Sequence, residues 1–167
     1  MRYADPYAVP GRWYKGNLHT HTTVSDGRLS PAEVVRWYEE HDYDYVALTD
    51  HDVFCDPSSL QPTTRLLLIP GFEFSRGAVP EAHILCLGVR QAYGGDNQDV
   101  LTRTRALGGM AAFCHPNWVR DDLWSPEEMA GLRYYTGMEI YNNVINRLVG
   151  RALATDDWDE MLTRGHL

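Results

Sequence analysis

Seven histidines punctuate this chain, and five of them stand near other residues able to hold a metal ion: His19, His21, His51, His83 and His115. His19 and His21 form H-x-H. In extended backbone, residues i and i+2 leave the same face, so both rings can grip one ion. Asp26 follows in Ser25-Asp26-Gly27, a sequence that also makes an ordinary turn. In Asp50-His51-Asp52 an imidazole is flanked by carboxylates that can orient its ring; a plain charged loop is the alternative. Glu73 lies between Phe72 and Phe74, an apolar frame in which an unpaired carboxylate is costly. A role as bridging metal ligand meets that cost, and so does a salt bridge to an arginine. His83 and His115 adjoin apolar runs and, taken singly, read as buried histidines bonded to backbone. Imidazole together with carboxylate suits Zn, Mn or Fe, and the clustering carries more weight than any one residue.

The remaining candidates read as ordinary structure. His41 looks like a solvated helix end and His166 like an incidental terminal residue. Cys86 and Cys114 sit inside apolar runs and read as core, and Cys55 follows Asp50-His51-Asp52 without the look of a ligand. Arg12, Arg28, Arg76 and Arg120 lie near the motif loops. Arg76 and Asn117 are candidate substrate contacts beside their plainer reading as solvated loop residues, and Trp118 reads equally as pocket wall or core.

These side chains need elements to carry them. Apolar runs predict strands over 16–19, 45–49, 65–69, 83–89, 109–114 and 137–141, with Pro70-Gly71 stopping the third before Phe72–Ser75. Ser30, Pro31 and Glu33 form a capping box that opens a helix over 31–41, with Val34, Val35 and Tyr38 on its apolar face. Further helices are expected over 97–107 and 151–164. Strands alternating with helices imply α/β units around a parallel sheet or barrel, with chemistry at the carboxyl ends of the strands. His19, His21, Asp50, His51, Glu73 and His115 fit that rule. His83 begins its strand, so it must reach the site from another direction.

Composition narrows the class. A chain of 167 residues suits one domain over 1–167, with 1–15 an irregular lead-in, and can bury roughly 70% of its unfolded surface. A net charge of −8 argues against a broad nucleic-acid surface, though bound cations could still recruit phosphate esters. Three cysteines in no paired spacing do not suggest a disulfide framework. No signal peptide or membrane-length apolar run is evident, so a cytoplasmic location is the expectation.

The segments L-H-T-H-T-T-V-S-D-G, A-L-T-D-H-D, P-G-F-E-F-S, A-H-I-L and F-C-H-P-N-W, in that order over about residues 16–164, resemble the motifs of the PHP (polymerase and histidinol phosphatase) superfamily. The opening G-N-L-H-T-H-T-T-V-S-D-G and the later E-I-Y-N-N-V are most similar to its CehA/McbA-like metallohydrolase branch. The resemblance implies a distorted seven-stranded β/α barrel with two or three divalent ions. His19, His21 and Glu73 would hold a first ion, Glu73, His83 and His115 a second, and Asp26 with His51 a third. Relatives complete the first and third ions with a late G-x-D-x-H motif. No such motif occurs before R-G-H-L, which implies an incomplete barrel, from a fragment of a longer protein or a shortened one.

The expected activity is metal-dependent hydrolysis, foremost of a phosphoester, in which paired cations acidify a shared water that attacks phosphorus or a carbonyl carbon. Glu73 and His51 would be central to catalysis and Asp52 a supporting or proton-shuttling group. The alternatives are a carbamate or amide hydrolase of the CehA/McbA type, or a non-catalytic metal-binding module. A small-molecule or nucleotide-like substrate is expected, with no membrane partner. The open strand edge of an interrupted barrel also favours a homodimer.

Overall fold

The apolar runs become the strands of one curled sheet: β1 (Gly16–Asn17), β2 (Tyr45–Leu48), β3 (Leu67–Phe74), β4 (Ile84–Leu87), β5 (Met110–Phe113) and β6 (Gly137–Met138), bonded in that order. The structure is a computed structural model, and it describes residues 7–8, 10–75, 82–118, 124–148 and 151–166. The sheet forms a half-barrel. Helices α1 (Pro31–Glu40), α2 (Asn97–Ala106), α3 (Pro126–Gly131), α4 (Asn143–Arg147) and α5 (Thr155–Thr163) accompany it.

The helix signals behave as local chemistry predicts. Ser30 accepts from the Glu33 amide while the Glu33 side chain accepts from the Ser30 amide. The same reciprocal cap opens α2 through Asp96 and Asp99, and α3 through Ser125 and Glu128. The expected last helix starts late, at Thr155. Residues 152–154 instead bond back to 140–142, through Asn142 N–H to Ala152 O at 3.0 Å and Ala154 N–H to Ile140 O at 2.9 Å.

The sheet is mixed, which corrects the expectation of parallel strands throughout. β1, β2 and β3 run parallel, as do β5 and β6, but β4 is antiparallel to both neighbours. Only residues 75–83 separate β3 from β4, fewer than the dozen or more that a parallel crossover needs. This reversal answers the problem of His83. The start of an antiparallel β4 lies beside the carboxyl ends of β3 and β5, so His83 arrives at the same end of the sheet as the others.

Pro70-Gly71 does not end a strand either. β3 passes straight through, exchanging β2 for β4 as its partner: Pro70 is in register with Leu48, and Gly71 with Leu87. The Pro70 carbonyl accepts from Gly88 N–H at 2.8 Å. A Cβ at Gly71 would stand 2.6 Å from the Cys86 carbonyl oxygen, so the tight crossing of β3 and β4 depends on its absence. Gly71→Ala should cost about 1–3 kcal/mol by forced overpacking, a fall in Tm of roughly 2–12 °C in a chain of this size. An unchanged melting curve would refute that reading.

Strand alternation sorts the two faces. Phe72, Phe74, Ile84, Cys86, Ala111 and Phe113 join the main core with residues of α2, α3 and α5, including Val100, Leu101, Met129 and Met161. Val46, Leu48, Leu66 and Leu68 pack with Val34 and Val35 of α1. The opposite face is lined by the smaller cluster of Ala47, Leu85, Leu87 and Cys114. Glu73 alternates away from Phe72 and Phe74, so the phenylalanines do not frame its carboxylate; they anchor its strand from behind. Among the described residues no helix is long and apolar enough to cross a membrane.

Candidate metal centre

Glu73 is fully buried, and five imidazoles close on its carboxylate. Oε2 lies 2.8 Å from His21 Nε2, 3.1 Å from His19 Nε2 and 3.1 Å from His51 Nδ1. Oε1 lies 2.9 Å from His83 Nδ1 and 3.3 Å from His115 Nε2. These groups come from five separate segments of the chain. His19 and His21 follow β1, and His51 extends β2 by one bridge to Glu73. His83 precedes β4, and His115 follows β5 with a positive φ of 31° that turns its ring into the cleft. Positive φ in a non-glycine residue is sparsely populated and collects at functional sites.

This packing suits a shared ion better than a hydrogen-bond network. His19 Nε2 and His21 Nε2 are 3.1 Å apart, although each neutral ring already spends its one N–H at Nδ1, toward Glu139 and Asp26. Among the described residues four buried polar side-chain atoms lack a hydrogen-bond partner, and two lie at the centre of this cluster, His51 Nδ1 and Glu73 Oε2; a third, His115 Nδ1, is not the nitrogen that faces Glu73. His51 Nδ1 and Glu73 Oε2 face each other at 3.1 Å without aligning as a bond. Buried polar groups are nearly always satisfied, so clustered orphans ask for a partner. Potential ligand atoms group within 4.8 Å in three sets: His21, His51 and Glu73; Glu73, His83 and His115; and His19, Glu73 and Cys114. The donor chemistry and the spacing therefore fit a divalent ion.

Charge on the metal-free cluster is strongly redistributed. Burial works against a protonated His19, but the Glu73 carboxylate and the hydrogen bond to Glu139 outweigh it and push its pKa up to about 10. Burial likewise opposes ionised Glu73, yet the His19 charge and the crowd of imidazoles around it hold it well below the usual carboxylate range. His21 is also raised, its burial outweighed by Glu73, whereas burial lowers His51 with help from the charges of His21 and His83.

The other expected residues take several positions. Asp26 accepts from His21 Nδ1 at 2.7 Å and lies 3.8 Å from His51 Nε2, so it backs His21 while remaining near His51. Asp50 is buried under the loop, accepting from the amides and hydroxyls of Thr22 and Ser25, and so shapes the turn that carries Asp26. Asp52 accepts from the Ser75 amide at 3.0 Å and from its hydroxyl, and it does not line the cleft. Asn117 donates to Leu153 O at 2.7 Å instead of facing the cleft, and Arg12 pairs with Asp44. Arg76 and Arg120 lie outside the described residues. Trp118 is a wall of the cleft, its ring edge-on to His115 at 5.0 Å. Cys114, expected to be core, is fully buried yet within the span of the His19–Glu73 set; burial raises its thiol far above the ordinary value.

Sequence reasoning missed Glu139. It follows β6, accepts from His19 Nδ1–H at 2.6 Å, and is held below the ordinary carboxylate value as that bond and the His19 charge overcome burial. Two signals were available: it opens the E-I-Y-N-N-V segment, and it stands at the end of an apolar strand, the position already used to single out Glu73. The cleft has a volume of about 580 Å³, and among the described residues no lysine or arginine lines it. Tyr38, Trp118, Tyr141, Val144, Ile145 and Leu148 supply the less polar walls.

Solved structures share this fold, among them two that carry phosphoesterase descriptions. One is a two-domain protein from Bacteroides vulgatus containing a predicted PHP-like metal-dependent phosphoesterase, with a TM-score of 0.63 and 24% identity over 77% of this chain and 44% of that one. The other, from Bifidobacterium adolescentis, is described as a candidate metal-dependent phosphoesterase, with a TM-score of 0.65 and 14% identity over 89% of this chain and 82% of that one. The chain thus spans less than half of the first protein. No family model matches the chain, and no curated protein does.

Proposed function

We propose that this chain is a metal-dependent hydrolase of the PHP type, acting foremost on phosphoesters. The observation that carries the proposal is the convergence of five imidazoles on the one buried carboxylate of Glu73. His19, His21 and Glu73 would hold one divalent ion, and Glu73, His83 and His115 a second, with His51 and Asp26 available to a third. Such ions supply a Lewis acid and lower the pKa of a bound water toward ~7. Zn, Mn and Fe all suit imidazole with carboxylate.

The chain's own groups define the rest. Glu73 keeps its negative charge in a buried position and so faces both ligand sets at once. Asp26 holds the His21 ring through Nδ1, leaving Nε2 toward Glu73. Trp118 and Tyr141 flank the cleft, and Asn143 offers an amide group to a substrate oxygen, whereas the amides of Asn17 and Asn142 are already bonded within the protein. Asp52 supports the end of β3 through Ser75 and acts at most indirectly.

A second reading, hydrolysis of an uncharged carbamate or amide as in the CehA/McbA-like branch, is favoured by the absence of lysine and arginine among the cleft residues described. Assay of the zinc- and manganese-loaded chain on an aryl phosphodiester, an aryl phosphomonoester and an aryl carbamate separates the readings. Turnover of the phosphodiester supports the first, and turnover of the carbamate alone the second. Bound metal with no turnover of any of the three makes the chain a metal-binding module. Among the described residues a homodimer built on a free sheet edge would use the two-residue strands β1 and β6, and light scattering decides it.

A further inference from the structure

Glu139 makes three bonds that together read as a device. Its Oε1 accepts from His19 Nδ1–H at 2.6 Å. Its Oε2 accepts from the His115 backbone amide at 2.7 Å and from Asn142 Nδ2 at 3.0 Å. The orientation of Asn142 is settled by its own bonds, since its Oδ1 accepts from the amides of Val144 and Ile145 at the start of α4. His19 follows the first strand of the open sheet and Glu139 the last, so this carboxylate ties the two outer ends of the half-barrel together at the cleft. The side chain is only 16% exposed.

Resting on the metal-centre reading above, we propose that Glu139 is a positioning residue that selects the ligating nitrogen of His19. A carboxylate at Nδ1 requires a proton there, which leaves Nε2 as the lone-pair donor beside Glu73 Oε2 and His21 Nε2. The same side chain holds the His115 amide at a residue with positive φ, so it braces a ring from the second ligand set as well.

The geometry makes an unusual forecast for the isosteric variant. In Glu139→Gln, the place of Oε2 still faces two N–H donors, so the amide oxygen must go there. The amide NH2 then faces His19 Nδ1 and donates to it. That bond requires a bare Nδ1, which moves the ring proton to Nε2 and removes it as a ligand. Glu139→Ala takes away the carboxylate but leaves His19 free to choose either tautomer. Zinc affinity should therefore fall in the order wild type, Ala, Gln, while packing and stability fall in the order wild type, Gln, Ala. A residue that serves structure alone would place Ala last in both.

The test combines competitive chelator titration with zinc, elemental analysis, thermal melts and 15N NMR of the histidine rings. The zinc-loaded wild type should show His19 bound through Nε2 with Nδ1 protonated. Glu139→Gln should bind one zinc about 10–100-fold more weakly, with the His19 proton moved to Nε2. Zinc on His19 Nδ1 in the wild type, or Gln binding as tightly as wild type or more tightly than Ala, overturns the proposal; the wild-type spectrum decides even if a variant misfolds. A wild-type chain that binds no zinc overturns the metal centre itself, whereas tight zinc with an unmoved His19 tautomer in the Gln variant overturns only the role of Glu139.

Discussion

Glu73→Gln is expected to abolish tight binding of every ion, whereas His83→Ala should weaken only the set that contains it. All three candidate ligand sets share the Glu73 carboxylate, and its two oxygens face different imidazoles. Losing a partner that merely supports a ligand costs 10–100-fold in affinity, so loss of the shared ligand should exceed about 100-fold for both ions. The variant also removes the one negative charge at the centre of the imidazole cluster. Breaking a buried ion pair by removing one partner costs about 3–5 kcal/mol, or roughly 6–20 °C in Tm. The imidazoles can relieve that strain by shedding protons, so the loss should be larger at pH 6 than at pH 8. Equilibrium dialysis with elemental analysis reads the first effect, and melts with chelator at two pH values read the second. Retention of two equivalents of zinc by the Glu73→Gln variant would show that Glu73 bridges nothing.

Acidity should move metal affinity and metal-free stability in opposite directions. In the metal-free chain His19 carries a proton up to about pH 10. An ion that takes His19 as ligand must displace that proton, so apparent affinity should rise about tenfold per pH unit, per proton displaced, between roughly pH 7 and 9. The raised pKa of His21 adds to the slope in the same sense. For stability the sign is reversed. A histidine whose folded pKa lies above its unfolded value of 6.5 stabilises the fold fully below pH 6.5, and this contribution is lost as pH rises toward about 10. Glu73 and Glu139, both held low, contribute above the usual carboxylate range and lose that contribution on acidification. The chelator-treated chain should thus melt progressively lower from pH 7 to 10, while the zinc-loaded chain holds or gains. Calorimetry in buffers of different ionisation enthalpy counts the protons released. Release of none at pH 7.5 would mean that His19 is not a ligand.

These expectations start from residues that local chemistry made visible. H-x-H, D-H-D and the acidic residue between two phenylalanines could be picked out because strand-end position and residue type are properties of short segments. The reciprocal caps at Ser30 and Glu33, and the α1 face of Val34 and Val35, were legible for the same reason: every atom involved lies within one or two helical turns. Strand existence was also legible, since apolar runs bounded by polar turns read the same in any tertiary setting.

Direction and pairing were decided only in three dimensions. The reversal of β4 follows from how little chain joins it to β3, and it alone places His83 beside His115. Continuity of β3 through Pro70-Gly71 depends on a new partner strand arriving where the old one leaves, which no local propensity records. Asp52 and Asn117 looked like site residues by proximity in sequence, but neither lines the cleft: Asp52 accepts from Ser75, and Asn117 donates to Leu153 and Asp156. Glu139 opens the E-I-Y-N-N-V segment but stands 120 positions from His19, and its partner emerged only where the curl of the sheet brings β6 round to β1. Residue identity along the chain was thus enough to name the ligand types, because coordination chemistry belongs to single side chains. Which nitrogen of which ring faces the centre is a property of distant contacts, and only the closed curve of the sheet determined it.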